Sequence, residues 1–373
     1  MTYAYLQKTV GSIELLQLRR NQVAETVFNL WEENMKKLLI TTAVCMTCSG
    51  AAMADKLDVA STFGTNNLLG QMGVKFGENL AIATGGGLEL DIAEPGDLVP
   101  TLEVFDSVAS GAIDAGWDWM GYWSGTVPVA QFYGGLPFGP TSEVSSSWMW
   151  NGGGIEIIRR EYAKHGVMVF PCFIEPQETA GWYREEITGP ESYDGMKIRM
   201  SGLGAKVLTK LGSSTQLVPG GETYLALERG RVDAADFAIP TVDEAMGFYE
   251  IAKYNYFPGW HQSASWFSFI MNKDLYDSYS DERKAQMDLA CQATIQYTFN
   301  RLPAEQMDVI ARMAEKGAIT KRLPDSVMER LREAWGEVLA EEMAAKPVVK
   351  EMYESLQVHQ AKVDAWNELQ SLD

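Results

Sequence analysis

Apolar positions along this chain fall into short blocks of two periods. Segments with apolar residues three and four apart alternate with brief runs in which every second residue, or every residue, is apolar. These are the signatures of amphipathic helices and of half-buried or central strands. Asp58-Val59-Ala60 opens a strand, Asn67 to Ala83 has helical spacing and ends at Gly85-Gly86-Gly87, and Leu88-Glu89-Leu90-Asp91-Ile92 alternates as a strand does. Val99 to Ser110 is again helical, and Ile113 to Gly116 is the strand after it. An aromatic, glycine-rich stretch follows from Trp117 to Phe138, then a helix from Ile155 to His165. Val167 to Phe173 is continuously apolar and is predicted to be a central strand. A second series then begins, with strands at Gly181-Trp182-Tyr183, Met196 to Met200, Gln216 to Val218 and Val232 to Ile239, and a helix from Ala205 to Leu211. Lys253 to Gly259 and Phe267 to Asn272 read as strands returning to the first series. After Ser280 the pattern is helical throughout. Ser280 is a cap followed by Asp281 and Glu282 in the first turn, Pro303 and Pro324 each stand at a predicted helix start, and Gly317 at a helix end.

Two of these segments share one pattern. Glu103 to Ala115 and Glu222 to Ala234 each read Glu, seven residues, Gly, any residue, Ile or Val, Asp, Ala. Each is a short amphipathic helix ended by a glycine and followed at once by an apolar strand, and Gly111 and Gly230 suit the left-handed position after a helix. The β-α-β alternation predicts an α/β fold, and its duplication predicts two similar lobes. Two such lobes enclose a cleft where a ligand sits.

The start of the chain carries an address. Met35-Lys36-Lys37 precedes an apolar run from Leu38 to Met46, and small residues lead to Ala52-Met53-Ala54 before Asp55. That is the basic, apolar and cleavage order of a secretory signal peptide, here residues 35–54. Residues 1–34 then read as an extension upstream of the true start at Met35, and the mature chain begins near Asp55 in the periplasm. Cys45 and Cys48 leave with the peptide, while Cys172 and Cys291 remain, either as one bridge or as two buried thiols. No later segment is a membrane span. The net charge of −19 argues against nucleic acid and offers no steering for an anionic ligand, so any anion must be held by a local positive site.

Enzymatic signatures are sparse. The three histidines, His165, His261 and His359, form no pair with metal-ligand spacing, and there is no nucleophile elbow, phosphate loop or C-x-x-C motif in the mature part. Gly85-Gly86-Gly87 and Gly152-Gly153-Gly154 read as turns. Arg199 stands out, because it lies in a short apolar strand, Met196 to Met200, just before Ser201-Gly202 and a helix. A buried arginine needs an anionic partner, and its planar fork matches a carboxylate, supplied either by the protein or by a ligand.

At this point the chain resembles the solute-binding subunit of TRAP (tripartite ATP-independent periplasmic) transporters of the dicarboxylate-binding-protein type. The resemblance is carried, in order, by Gly85 to Leu90, Gly96 to Pro100, the helix to Gly111-Ala112-Ile113-Asp114, Tyr193 to Arg199, Pro219 to Tyr224 and Gly230 to Ala234. It implies a two-lobed periplasmic binding protein of the class II-like type with a hinge and a C-terminal helical extension. It also implies that Arg199 clamps a substrate carboxylate. Lobe I is then 55–177 plus 265–305, lobe II 178–264, and 306–373 are helices packing on the lobes or on a second copy. The chain crosses between lobes near Gln177 and near Ser265.

Glu175-Pro176-Gln177, Ala235-Asp236-Phe237 with Pro240, and Tyr256 to Gln262 resemble the branch that binds 2-oxo acids. That branch bridges protein and substrate through Na⁺ or Ca²⁺. The matching oxygen donors are the side chains of Gln177, Asp236 and Gln262 and the carbonyl of Phe237, all hard ligands suited to such ions. The chain departs from the branch in having Asp236-Phe237 where Glu-Trp is usual and Gln262 where Glu is frequent. Phe63, Trp119 and Tyr122 are the aromatic residues expected to shape the rest of the pocket. The resemblance implies capture of a small 2-oxo or 2-hydroxy acid, delivery to membrane permease subunits, no catalysis and no organic cofactor. A dicarboxylate or sugar acid as ligand, a secreted enzyme with the same cleft, and a sensor subunit remain alternatives.

Overall fold

The structure is a computed structural model that describes residues 55–371, together with Trp31 and Met35. The predicted extension 1–34 and signal segment 35–54 lie, apart from those two residues, outside the described part. From Asp55 the chain forms β1 (Asp55–Ser61), α1 (Leu68–Ala83), β2 (Leu88–Ala93), α2 (Val104–Ala109) and β3 (Ala115–Trp119). Next come α3 (Ala130–Gly134), α4 (Ser142–Asn151), α5 (Gly154–Ala163) and β4 (Val167–Pro176). The second series is β5 (Gly181–Tyr183), β6 (Lys197–Arg199), α6 (Gly202–Lys210), β7 (Ser214–Gln216), α7 (Thr223–Glu228), β8 (Ala234–Ala235), α8 (Pro240–Met246) and β9 (Tyr254–Phe257). The chain ends with β10 (Ala264–Asn272), α9 (Lys273–Ser278), α10 (Asp281–Glu315), β11 (Ile319–Arg322), α11 (Asp325–Ala345) and α12 (Pro347–Gln370).

Two sheets result. The first has the order β2-β1-β3-β10-β4, with β1 parallel to both neighbours and β10 antiparallel to β3 and β4. The second has the order β11-β9-β5-β8-β6-β7, with β6 parallel to β7 and β8. The fold is the expected two-lobed α/β architecture with a helical C-terminal extension. Residues 177–180 carry the chain from β4 into the second sheet, and residues 258–263 bring it back into β10. The duplicated segments occupy equivalent places. α2 and α7 are each preceded by a 3₁₀ turn and ended by a glycine with positive φ, Gly111 at 74° and Gly230 at 66°, where a side chain would strain the backbone.

Three expectations are corrected. Pro303 does not start a helix but lies inside the 35-residue α10. Its missing N–H is tolerated because one buried stripe, Met287, Ala290, Cys291, Ile295, Leu302, Val309 and Met313, runs through that position and holds both halves to the lobes. The chain after Ser280 is not all helical, since Ile319–Arg322 pairs with Tyr254–Phe257 in parallel and completes the second sheet. Four residues of mixed polarity give no strand signal until β9 offers them a ladder. The continuously apolar β4 is the edge of its sheet rather than a central strand. Its nearly complete burial comes from the helices laid over it, α10 among them, and Cys172 of β4 is joined there to Cys291 of α10 by a disulfide.

The last two helices fold back onto different parts of the protein. α11 lies on α6 of the second lobe, where Lys210 pairs with Glu341 at 2.8 Å and Glu337 at 3.3 Å. α12 lies on α4 and α5 of the first, where Arg160 grips Glu351 through two bonds of 3.0 and 2.7 Å. Between them, Lys206 of α6 donates to Glu342 of α11 at 2.6 Å and to Gln131 of α3 at 2.9 Å. The extension therefore ties both lobes together.

Candidate functional site

Arg199 is placed by the sheet. It ends β6, a strand with parallel neighbours on both sides, and the carboxyl ends of such strands are where α/β folds collect ligands. Its backbone carbonyl accepts from Asp236 N at 3.0 Å, so the residue after β8 is held beside it. Arg199 is 4% exposed, with Nε donating to the Val218 carbonyl at 3.3 Å and Nη1 to the Asp236 carbonyl at 2.6 Å. The Asp236 carboxylate lies 3.4 Å from Nη1 and is the only carboxylate within ion-pair distance of Arg199 among the described residues. The guanidinium also stands 5.2 Å from the centre of the Phe237 ring, a cation–π distance.

The cavity in front of Arg199 holds about 280 Å³ of empty space, partly continuous with solvent. Its walls come from both lobes: Phe63, Leu69, Trp119, Tyr122 and Phe267 from one, Arg199, Ser201 and Phe237 from the other, and Glu178 and Gln262 from the crossing segments. Phe63 and Phe237 also line a wider mouth of about 820 Å³ with Thr65, Asn66, Glu94, Gly220 and Met246, so the two rings stand between the inner cavity and the outside. Phe63 stacks on Tyr122 at 5.9 Å and leans on Phe267 at 5.4 Å. Trp119 meets Tyr122 edge-on at 5.1 Å, and its indole N–H is engaged by Ser265 Oγ at 2.7 Å and the Gly134 carbonyl at 3.1 Å. Burial raises the Tyr122 hydroxyl pKa against the opposing pull of Arg199 and the Gly220 backbone, so it stays protonated as a donor.

A second, charged wall lies beside the arginine. Asp236 Oδ1 is 3.2 Å from His261 Nε2, and Glu178 Oε2 is 3.7 Å from the same nitrogen. All three side chains are buried, and one donor atom from each lies within 4.8 Å of the others. Burial alone would raise the Asp236 carboxyl, but the charge and hydrogen bond of His261 and the charge of Arg199 outweigh it and hold the group below its ordinary value. Glu178 is pushed well above the ordinary carboxyl range, first by burial and then by the nearby Glu175 and Asp236 charges. Glu178 Oε1 accepts from Gln262 Nε2 at 2.9 Å, and the Glu178 carboxyl shares a hydrogen bond with the buried Glu175 carboxyl. Two buried carboxyl groups and an imidazole with their ligand atoms this close form a donor set that fits a cation.

Of the residues expected here from sequence, Arg199, Asp236, Phe237, Gln262, Tyr122, Trp119 and Phe63 come together. Gln262 presents its amide nitrogen to Glu178, Gly134 and Ser265. Gln177 stays outside: its side chain is exposed and donates to the Gly259 carbonyl at 3.3 Å, while Glu178 turns inward. Neighbouring residues of an extended segment point to opposite sides, so being one position off exchanges inside for outside. Glu178 and His261 are not among the residues expected from sequence: Glu178 is next to Gln177, and His261 joins acidic residues from distant segments, so no spacing within the chain reveals it.

The two crossing segments touch at Gly259. A methyl group there would stand 2.2 Å from the Glu178 carbonyl oxygen and 2.9 Å from that of Thr179, both backbone atoms. Gly259→Ala is therefore expected to spread the crossings, costing about 1–3 kcal/mol of stability as overpacking does, and to move Glu178 away from His261. A thermal melt together with acid titration checks this. An unchanged melting temperature and affinity would show that the contact is not needed.

Comparison with known proteins follows the same lines. A family model described as bacterial extracellular solute-binding protein, family 7, matches residues 59–346. A monocarboxylate 2-oxoacid-binding periplasmic protein from Nostoc sp. is 29% identical over 297 residues, 79% of this chain and 81% of the relative. A TRAP transporter solute-binding protein from Bordetella bronchiseptica, a dimer with calcium and picolinate in one active site, superposes with a TM-score of 0.81 at 25% identity over 85% of this chain and 94% of its own. A TRAP periplasmic solute-binding protein from Pseudoalteromonas atlantica, with bound sodium and pyruvate, superposes with a TM-score of 0.80 at 28% identity over 86% of this chain and all of the other.

Proposed function

The chain belongs to the bacterial extracellular solute-binding proteins, family 7, and from that premise we propose that it captures a small 2-oxo or 2-hydroxy monocarboxylate in the periplasm and delivers it to TRAP permease subunits. The observation that carries the ligand class is the Arg199 fork, buried at the end of a small aromatic cavity with no other carboxylate than Asp236 within ion-pair distance among the described residues. A small planar acid is the ligand such a cavity accommodates. Its carboxylate meets Arg199, its remaining atoms lie among Phe63, Trp119, Tyr122 and Phe237, and the Tyr122 hydroxyl donates to a ligand oxygen. The relatives' pyruvate and picolinate are acids of this kind. No helix among the described residues is long and apolar enough to cross a membrane.

A cation fits this reading. Glu178, Asp236 and His261 would hold it, with Gln262 close to Glu178, and it would supply positive charge to a ligand carboxylate or keto oxygen. Capture proceeds by closure: the ligand favours the closed form only through contacts made to both lobes, and the C-terminal helices that bridge the lobes set the cost of opening. Binding without turnover is the reading for this site, in keeping with its solute-binding family. The long α12 leaves Val358, Trp366 and Leu369 largely exposed, and a second copy of the chain is the partner we propose for that face, in line with the dimeric relative.

The test is thermal shift of the purified protein against pyruvate, lactate, small dicarboxylates and sugar acids, with and without added Na⁺ and Ca²⁺. A ligand at a hundred times its Kd raises stability by about 2.7 kcal/mol. A shift with pyruvate or lactate that exceeds those with dicarboxylates supports the proposal. Shifts confined to dicarboxylates or sugar acids would replace the ligand class, and no shift with any acid would end the acid-binding reading.

A further inference from the structure

The ion at this cleft, taken as an acid-binding site, is set by the chemistry of its donors. Three buried side chains meet there from three separate segments: Glu178 on the first crossing, Asp236 after β8 and His261 on the second crossing. They are 2%, 1% and 1% exposed, so solvent does not satisfy them. Asp236 Oδ1 is hydrogen-bonded to the imidazole nitrogen Nε2 at 3.2 Å, Glu178 Oε2 approaches the same nitrogen at 3.7 Å, and the buried Glu175 stands beside Glu178. Arg199 does not serve this group as a whole. Its bonds go to the Val218 and Asp236 carbonyls and to the other oxygen of Asp236. Two buried carboxyl groups thus meet at one imidazole nitrogen, with one ligand atom of each of the three residues within 4.8 Å of the others, a donor set for a divalent cation.

The nitrogen decides which cation. Na⁺ and Ca²⁺ are hard ions that gather oxygen ligands, six to eight of them for Ca²⁺. A neutral imidazole is a good ligand for zinc and its transition-metal neighbours. Three protein ligands of the His and carboxylate type, with a further position open to a small molecule, are the composition of an exchangeable zinc site. We propose that Glu178, Asp236 and His261 form a three-ligand site for a divalent ion of the zinc class, open on the Arg199 side to the acid's carboxylate. In this chain such an ion takes the place of the sodium or calcium found in its relatives. Gln262 then acts as a positioning residue, holding Glu178 Oε1 at 2.9 Å so that Oε2 faces the ion.

The experiment uses chelator-stripped protein and its His261→Gln variant, which keeps an oxygen donor and removes the imidazole. Zn²⁺, Co²⁺, Ca²⁺ and Na⁺ are titrated by calorimetry, and the visible spectrum of the Co²⁺ form is recorded. The expected result is Zn²⁺ binding at least about 100-fold tighter than Ca²⁺ and ligand-field bands of a low-coordinate Co²⁺ site with a nitrogen ligand. His261→Gln should lose that preference and the Co²⁺ spectrum while keeping whatever Ca²⁺ affinity exists. Equal binding of Ca²⁺ and Zn²⁺ by the unaltered protein, or an unchanged Zn²⁺ affinity in His261→Gln, overturns the proposal. Should His261→Gln fail to fold, Glu178→Gln takes its place, since it removes a charge from the same site and should weaken Zn²⁺ strongly; an undiminished Zn²⁺ affinity there overturns the proposal equally. Pyruvate titration of the Zn²⁺-loaded and Ca²⁺-loaded protein separates the two readings. Pyruvate binding that requires Ca²⁺ or Na⁺ and is abolished by Zn²⁺ sinks the ion assignment alone. Tight Zn²⁺ binding through His261 with no response to any acid supports the ion site and sinks the acid reading alone.

Discussion

Arg199→Ala is expected to abolish measurable acid binding. The guanidinium is buried, held in place by the Val218 and Asp236 carbonyls, and backed by the Phe237 ring. Its orientation is therefore set before any ligand arrives, and little ordering cost is charged to binding. Removing one partner of a buried, charge-assisted contact costs about 2–5 kcal/mol, or roughly 30- to 5,000-fold in Kd. The upper part of that range is expected, because Arg199 itself is buried and, among the described residues, no other arginine or lysine lines the cavity to take over. Arg199→Lys separates charge from shape: a compact ammonium keeps the charge but loses the fork, so it should recover part of the affinity. Calorimetry with the acid found in the thermal screen measures both variants, and their melting temperatures without ligand show whether the fold survives. An Arg199→Ala protein that melts normally and binds the acid within a few-fold of the original would remove the carboxylate clamp from the model.

The second large effect concerns pH and a residue outside the ligand contacts. Asp118 lies in β3 with no exposure, and its carboxyl pKa is pushed up to about 7, chiefly by burial, against the lowering effect of hydrogen bonds from Ser268 and Trp123. An ordinary carboxyl titrates near 3.9 in the unfolded chain. Between those two values the folded protein binds the proton and the unfolded chain does not, so stability falls as pH rises from about 4 to 7. The span of about three units corresponds to a loss on the order of 4 kcal/mol at pH 8 relative to pH 4 from this group. Asp118→Asn keeps the shape and an acceptor oxygen for the Trp123 N–H while removing the proton exchange. It should melt at a higher temperature than the unaltered protein at pH 8, and the advantage should shrink towards pH 5. Chemical denaturation across pH 5–8 measures this. Parallel pH profiles for the two proteins would show that Asp118 is ionised in the folded state.

How much of this was legible in the sequence depends on the distance over which each feature is encoded. The duplicated Glu-to-Ala segments fixed their own outcome, because a helix face, a left-handed glycine and an apolar strand are all specified within a dozen residues. The α/β class, the two lobes and the place of Arg199 at the end of β6 follow from that local grammar. Ranges were less certain where the signal is weak: β3 starts at Ala115 rather than Ile113, and β8 is only Ala234–Ala235. Those limits depend on where a neighbouring strand offers a ladder.

Tertiary structure alone decided the rest. β11 exists because β9 presents an open edge, α10 runs through Pro303 because its buried stripe is held on both sides, and β4 is covered by helices although it is an edge. The charged wall of the site is the clearest case. Glu178, Asp236 and His261 are 58 and 25 positions apart along the chain, and each is unremarkable in its own segment. Local periodicity reports which face of an element is buried, so the sequence by itself determined the lobes and the arginine that one of them presents. Which buried groups from different segments point at one another is set by packing between segments, and the turn of the chain at Glu178 rather than Gln177 was therefore decided only when the two crossings met.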